Sequence, residues 1–500
     1  MVASSERLVH GLLRRAHQAL FVPRPPAFFD ADWYRAHYHD VAAAGIDPWL
    51  HFHFHGRDEG RLANRRHLEL WFSAATFRQV EQEFHPAADT LARRDRVYLA
   101  WLLARRLAWG GQWDDVIALR PDFGLERRLR RKSGFGLMPA ILFVDALQKS
   151  GIEQEALHAL DWLKDRFGEV IDIALLEANH VHAFGDASSR AEDWLRVVNK
   201  IYQAGGLQPI GFRSGVRFGL DALTSPHAGL QEANQDSRPL VSVLMAAFNA
   251  EGTIEQAIRS VLAQTWTNLE LIVVDDGSTD ATAERIEQIA ANDERVRFLR
   301  TERRGGPYGA RNQALAAASG DFITLHDADD WSHPQKIEMQ VRALMAEPDL
   351  IATFTDWVRV SGDLIFGTWR MPSSWLGWCH RNTSSFMFRR AVCERLGYWD
   401  EVKCNGDVEF VDRVMAVWGA SAVGAVMPGV PLAFARLDDN SLTQQSETHV
   451  MSSLKGLRHD YALAYSAWHA SAQSAEDLYL PAGPERRPFP VPAAILQNVT

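Results

Sequence analysis

The sequence predicts an α/β fold, a mostly parallel sheet covered by helices on both faces, preceded by a mainly α-helical region. Three observations carry this. Between residues 240 and 330 apolar runs of strand length alternate with amphipathic runs of helix length. The strand runs are apolar throughout instead of alternating with polar residues, as strands buried on both faces must be. From about His67 to Leu230 the apolar residues recur at a helical period nearly throughout.

Taken in order, "LVSVLMAAF" is the first strand of the sheet. "TIEQAIRSVLAQ" is a helix opened by a Thr253 to Gln256 capping box. "LELIVVDD" is the second strand and "DATAERIEQIAA" a helix capped by Asp280. "VRFLR" is the third strand, "GARNQALAAAS" a helix closed by Gly320, and "DFITLHD" the fourth strand. Parallel strands point the same way, so their carboxyl ends meet in one crevice. That crevice gathers Phe248 and Asn249, Asp275 and Asp276, and Asp327, Asp329 and Asp330.

Five units are expected along the chain. Residues 1–27 form an amphipathic helix with Arg7, Arg14 and Arg15 among its leucines, suited to packing on its own protein or to lying on an anionic membrane surface. Residues 28–67 form a small aromatic-rich helical module, and its "HFHFH" run lacks the carboxylate or cysteine that would complete a metal set. Residues 68–234 are a helical scaffold or binding region, residues 235–450 the α/β domain, and residues 451–500 a helix with a Pro-rich tail.

Composition sets limits. A formal charge of −10 gives no basic field, which argues against nucleic acid as a partner. Three cysteines, confined to positions 379, 393 and 404, suit reduced thiols in a reducing compartment. No apolar stretch approaches the ~18 residues of a membrane span.

Two carboxylate pairs and an amide would then line one crevice. Close carboxylates raise each other's pKa unless a cation or hydrogen-bond donors offset the charge. Asp327 and Asp329, two apart at a strand end, can both reach an oxygen-preferring divalent cation, which in turn binds a diphosphate. Asp275 or Asp276, before a tight Gly-Ser-Thr turn, suits ribose hydroxyls or a base N–H. The loop "TERRGGPYGARN" offers backbone N–H groups at a helix start with Arg303, Arg304 and Arg311 as phosphate neighbours. The first strand is followed by "NAEGT", which is not a dinucleotide-binding glycine fingerprint.

These residues resemble a known family. "VSVLMAAFNAEGTIEQAIRSVLAQTWTNLELIVVDDGSTDAT" followed by "GPYGARNQALAAASGDFITLHDADDWSHPQKIEMQ" is similar to the nucleotide-sugar half of inverting family 2 glycosyltransferases of the GT-A fold. The resemblance implies a nucleotide-sugar site at Ala247, Phe248, Asn249, Asp275, Asp276, Gly306, Arg311, Asp327 and Arg436. It makes Asp327-Ala328-Asp329 the DxD element, with Asp329 the direct ligand of Mn2+ or Mg2+ and Asp327 nearer the ribose or the metal. "NGDVEFVDRVMAVWG" stands where the family keeps its general base, so Asp407 is the expected base and Glu409 the alternative, with Gly406 in place of the usual acid. "FARLDDNSLT" resembles the segment that closes over the diphosphate; Arg436 matches its arginine, and Asp438 replaces a histidine that binds metal in some members.

Residues 28–67 and the tail "LYLPAGPERRPFPVPAAIL" resemble segments of bacterial capsule-associated enzymes. The implied reaction moves a sugar, from a UDP-sugar foremost, to a glycan or lipid-linked acceptor in surface polysaccharide synthesis. It would take place in the cytoplasm, and at the inner membrane surface only if the N-terminal helix lies on lipid instead of packing on its own protein. Without the Gln-x-x-Arg-Trp motif of processive synthases, single or few additions are expected. Two other classes stand beside this one. A nucleotidyltransferase would want a lysine-rich phosphate loop near the first strand, and an assembly scaffold would not need clustered carboxylates.

Overall fold

The computed structural model describes residues 24–57, 61–87, 90–120, 137–225, 238–301, 304–369, 377–437, 448–453, 455–484 and 486–496. Residues 1–23 of the expected N-terminal helix, and Arg303 and Asp438 among the expected site residues, lie outside these. The chain divides into two compact units, Met1–Leu176 with Trp369–Gly377, and Glu177–Thr368 with Trp378–Thr500.

The first unit is helical: α1 (Ala31–His37), α2 (His39–Ala43), α3 (Pro48–His51), α4 (Arg65–Glu69), α5 (Ala74–Ala87), α6 (Arg93–Trp109), α7 (Trp113–Ala118), α8 (Leu137–Lys149) and α9 (Glu153–Phe167), with α10 (Ile171–Phe184) following. The "HFHFH" run leaves α3 through one wide turn, Phe52–Gly56. His51 is buried with Nδ1 2.9 Å from the Tyr34 hydroxyl, and His53 Nδ1 lies 3.1 Å from Arg57. Arg57 in turn spreads over the Trp49 and Phe52 rings and pairs with Asp95, so these histidines belong to an aromatic and ionic core.

The second unit holds α11 (Arg190–Ala204) and a short pairing of β1 (Gly211–Phe212) with β2 (Leu223–Thr224), where the sequence had predicted helix nearly throughout. The main sheet follows with β3 (Val241–Ala247), β4 (Leu269–Asp275), β5 (Val296–Arg300) and β6 (Phe322–Leu325), then β8 (Ala352–Phe354), β11 (Met387–Arg389) and β12 (Val423–Ala425). Its order is β12-β8-β11-β6-β3-β4-β5, parallel except where β11 runs antiparallel between β8 and β6. A smaller sheet, β10-β9-β13-β7, comprises β7 (Trp331–Ser332), β9 (Asp356–Val360), β10 (Cys379–Arg381) and β13 (Pro431–Arg436).

Helices α12 (Ile254–Leu262), α13 (Thr282–Ala290), α14 (Gly306–Ala317), α15 (Lys336–Ala346), α16 (Arg390–Leu396), α17 (Gly406–Trp418) and α18 (Leu457–Ser471) complete the unit. The period-two alternation of a strand separates two cores. Val243, Met245, Leu271 and Val273 pack with Ile258 of α12, Ile286 of α13 and Val341 of α15. Leu244, Ile272 and Val274 pack with Ala310 of α14 and Phe410 and Val414 of α17. A mostly parallel sheet preceded along the chain by a helix-rich region is the fold class that the sequence predicts.

Two sequence expectations fail locally. The Thr253 to Gln256 box does not form: Thr253 Oγ1 donates to Ala328 O at 3.0 Å, and Gln256 Nε2 donates to Leu223 O at 2.8 Å. Tertiary carbonyls outbid the helix's own end. Gly320 does not close α14, which ends at Ala317. A Cβ at Gly320 would stand 2.6 Å from Ser242 N and 2.8 Å from Leu240 O, so the glycine lets the chain pass directly against β3. The three cysteines are free thiols. Among the described residues no helix is long and apolar enough to cross a membrane.

Candidate functional site

The carboxyl ends of β3, β4 and β6 deliver the predicted cluster, because β3 pairs with both neighbours in parallel register. After β3, Ala247 is buried and Phe248 is exposed, with the Arg304 guanidinium 3.8 Å over its ring. Asn249 takes a positive φ of 47°, held by Asn249 N donating to Ser278 Oγ at 2.9 Å and Thr279 N donating to Asn249 Oδ1 at 2.9 Å. A non-glycine residue in that region costs free energy, and here cross-loop bonds fix it.

After β4, both acids are turned into the protein. Asp275 accepts from Ser278 N at 3.1 Å, and Arg300 Nε lies 3.2 Å from its other oxygen. Asp276 accepts from Gly305 N and Gly306 N, both at 2.8 Å, and from Thr301 Oγ1 at 3.2 Å. It thus ties the start of α14 to the end of β4. Burial pushes its carboxyl above the ordinary value in spite of those donors.

After β6 the acids separate by role. Asp327 Oδ1 accepts from Arg311 Nη2 at 2.7 Å and Oδ2 from Ser384 Oγ at 2.6 Å. Burial would raise this carboxyl, but the Arg311 charge and the Ser384 hydroxyl hold it below the usual range. Asp329 has no side-chain donor on its carboxylate among the described residues. Burial and then the Asp327 charge push it up to about 6. Asp330 accepts from Arg436 N at 3.0 Å and stands well above the ordinary value, through burial and the two neighbouring acids. His326 is neutral, brought down to about 3 by burial; Nδ1 lies 2.8 Å from Asp327 O and Nε2 3.3 Å from Ser260 Oγ of α12. It is a clamp at the strand end.

Asp407 stands in the first turn of α17. Its Oδ1 accepts from the Tyr308 hydroxyl at 2.8 Å, and Tyr308 lies on α14 under Arg311, whose guanidinium is 5.3 Å from the ring centre. One hydrogen-bonded and stacked line therefore runs from half-buried Asp327 through buried Arg311 and Tyr308 to half-buried Asp407. Gly406 is explained by the same tyrosine: a Cβ there would meet Asp400 O at 2.9 Å and the Tyr308 ring at 3.2 Å.

Glu409 is a correction to the sequence reading. It has no exposed surface, and its carboxylate is taken by Arg413 Nε at 2.9 Å, Arg413 Nη2 at 3.0 Å and His469 Nε2 at 3.0 Å. On a helix whose face is buried, this acid completes a core ion pair. Arg436 also has a different immediate partner from the one expected. It ends β13 with Nε donating to Asp329 O at 3.2 Å and Nη2 to Asp221.

Sequence reasoning missed Tyr308, Ser384 and Arg359. Tyr308 precedes Arg311 by one helical turn, a spacing that could have flagged the pair. Arg359 on β9 acts on Asp329 and Asp330 through its charge, and a five-residue strand gave no pattern to find it.

The model of Glycosyl transferase family 2 matches residues 242–404. An uncharacterized glycosyltransferase of Haemophilus influenzae is 43% identical to the chain over 107 residues, 21% of this chain and 43% of that protein. The UDP-Glc:alpha-D-GlcNAc-diphosphoundecaprenol beta-1,3-glucosyltransferase WfgD of Escherichia coli is 39% identical over 133 residues, 27% of this chain and 51% of that protein. The chain thus spans about half the length of these curated relatives. S. aureus TarS 1-349 in complex with UDP is 22% identical, covering 47% of this chain and 72% of that one, at a TM-score of 0.33. The strand-end cluster and Tyr308 lie inside the matched residues; Asp407, three residues past the match, and Arg436 lie beyond it.

Proposed function

We propose that this domain transfers a sugar from a nucleotide-sugar, UDP-sugar foremost, to a hydroxyl of a glycan or lipid-linked glycan in bacterial surface or capsule polysaccharide synthesis, with inversion. The observation that carries the reading is the line Asp327–Arg311–Tyr308–Asp407, buried at its centre and half-buried at its two acids, which ties the strand-end acids to a carboxylate at a helix start. We assign the nucleobase to the exposed Phe248 ring. The ribose falls to the strand-end groups around Asn249, Asp275 and Asp327, and the diphosphate to the α14 start at Gly306 with Arg436 released from Asp221.

Asp329 fits a divalent cation. Its carboxylate accepts from no side-chain donor among the described residues, burial and the Asp327 charge raise its pKa against Arg359 and Arg436, and no set of three His, Cys, Asp or Glu ligands is present among the described residues. That donor set suits Mn2+ or Mg2+, which take most of their oxygens from phosphate and water. When bound, the ion would offset charge on the diphosphate. Asp407 accepts the proton of the acceptor hydroxyl as its oxygen bonds to the anomeric carbon; the bond from that carbon to the diphosphate oxygen breaks and its electron pair leaves with the nucleotide. Tyr308 aims Asp407 by hydrogen bond, and Arg311 holds Asp327 in place. Attack opposite the leaving group in one displacement gives inversion. Donor supply puts the reaction in the cytoplasm, at the inner membrane surface when the acceptor is lipid-linked.

The test is a screen of nucleotide sugars for turnover, with calorimetry of UDP binding with and without Mn2+, on wild type, Asp329→Asn and Asp407→Asn. Metal-dependent UDP binding lost in Asp329→Asn and kept in Asp407→Asn, with turnover lost in both, is expected. Equal turnover by Asp329→Asn and wild type sinks the metal assignment.

A further inference from the structure

The smaller sheet carries a face that the reading above leaves unused. Residues 355, 357 and 359 alternate at strand spacing, which turns Thr355, Trp357 and Arg359 the same way. Across the antiparallel pairing His380 stands opposite Trp357, its ring 6.1 Å away, and Asn382 follows two residues on with Asn382 N donating to Thr355 O at 2.9 Å. Arg359 lies over the Trp357 ring at 4.2 Å, and on the β13 side Trp357 meets only Ala433 and Ala435. Two residues past Asn382, Ser384 holds Asp327, so this face joins the strand-end acids.

Four polar atoms on it are enclosed and have no hydrogen-bond partner among the described residues: Thr355 Oγ1, Trp357 Nε1, Arg359 Nε and Asn382 Oδ1. Thr355, Trp357 and Asn382 are each more than nine-tenths buried. A buried orphan donor or acceptor costs about 1–3 kcal/mol, and natural proteins keep few of them. Four on one face, two of them N–H donors and two able to accept, beside an indole and an imidazole whose Nδ1 is spent on Trp378 O at 2.9 Å, ask for a ligand with alternating donors and acceptors and an apolar side. Vicinal hydroxyls on a pyranose ring have that chemistry.

We infer that the face formed by Thr355, Trp357, Arg359, His380 and Asn382 is a saccharide subsite that holds a pyranose ring of the acceptor by its vicinal hydroxyls. This rests on the glycosyl-transfer reading for its source and on the orphaned atoms for its place.

Thr355→Val and Trp357→Phe test it: the first keeps shape while deleting a hydroxyl that has no protein partner to lose, and the second deletes the indole N–H together with one ring. Thr355→Val should fold with unchanged or higher Tm, and Trp357→Phe with a lower Tm from the cavity it leaves. The full chain is applied to immobilised oligosaccharides ending in glucose, galactose, N-acetylglucosamine or glucuronic acid, and its affinities for UDP, UDP-glucose and UDP-N-acetylglucosamine are measured in parallel. The expected result is retention on at least one oligosaccharide, weakened about tenfold in each variant, with UDP affinity unchanged. Variants that instead bind UDP-sugars less tightly and UDP equally would make the ring the donor's. No retention by wild type together with equal binding of UDP and UDP-sugars, or retention and UDP-sugar affinity in the variants equal to wild type's, overturns the subsite. Oligosaccharide retention that the variants lose, in a chain that binds no nucleotide, would leave the subsite standing and remove the transferase reading.

Discussion

Replacing Glu409 by alanine separates a core ion pair from a catalytic base. The side chain is fully enclosed, and its loss strands Arg413, also fully enclosed. Removing one partner of a buried pair costs about 3–5 kcal/mol. Arg413 keeps three carbonyls, Leu396 O at 2.8 Å, Tyr398 O at 2.7 Å and Leu478 O at 3.3 Å, which places the cost near the lower end. At roughly 2–4 °C per kcal/mol for a unit of this size, calorimetry should show Tm falling by roughly 6–12 °C. Asp407→Asn is the counterpart. Its Oδ1 still accepts from Tyr308, so Tm should stay within about 2 °C while turnover falls about 10²–10⁴-fold. A Glu409→Ala protein that melts with wild type yet loses turnover as far as Asp407→Asn would make Glu409 the base and refute the assignment.

Three further outcomes follow from the same geometry. His333 is buried with Nε2 3.0 Å from Gln208 O, and burial brings it down to about 4. The unfolded chain binds that proton at about 6.5 and the folded one does not, so stability is lost as pH falls from 6.5 towards 4, by about 1.4 kcal/mol per pH unit. His333→Gln should flatten the urea-midpoint profile in that window; a profile as steep as wild type's would be the contrary result. Gly320→Ala drives a Cβ against the Ser242 and Leu240 backbone and should cost about 1–3 kcal/mol, measured by chemical denaturation. Tyr308→Phe removes the hydroxyl that aims Asp407 and should lower turnover about tenfold or more with donor KM unchanged; a purely structural tyrosine would shift Tm and leave turnover alone.

The four strands β3 to β6 were legible because each is an apolar run bounded by turn residues and followed by a periodic helix. Strands β8 to β13 were not. At three to six residues they carry no period, and β11 enters the sheet antiparallel through contacts made far along the chain. The strand-end acids were legible from the carboxyl-end rule. Their division of labour was not, since it depends on Arg311, Ser384 and Arg436 arriving from three other elements. Tyr308 reads in the sequence as one more core aromatic, and only its hydroxyl's partner reveals it. Glu409 and Asp407 are two apart on one helix, and the side of the helix that faces Arg413 decides which is enclosed.

Charge balance then fixes where a cation would sit. Arg311 is buried, yet Asp327, Tyr308 and Asp407 around it keep it firmly protonated. Asp327 and Arg311 therefore cancel one another inside the line. Burial and the two neighbouring acids push the Asp330 carboxyl well above the ordinary value against the pull of Arg436 N–H, and Asp276 is spent on the α14 start. That leaves Asp329 as the carboxylate whose ionisation near pH 6 adds net negative charge to the crevice without a side-chain partner among the described residues. On the proposed reading a divalent ion would be drawn to that charge, with Asp329 its ligand and Asp327, paired with Arg311, a strut beside it.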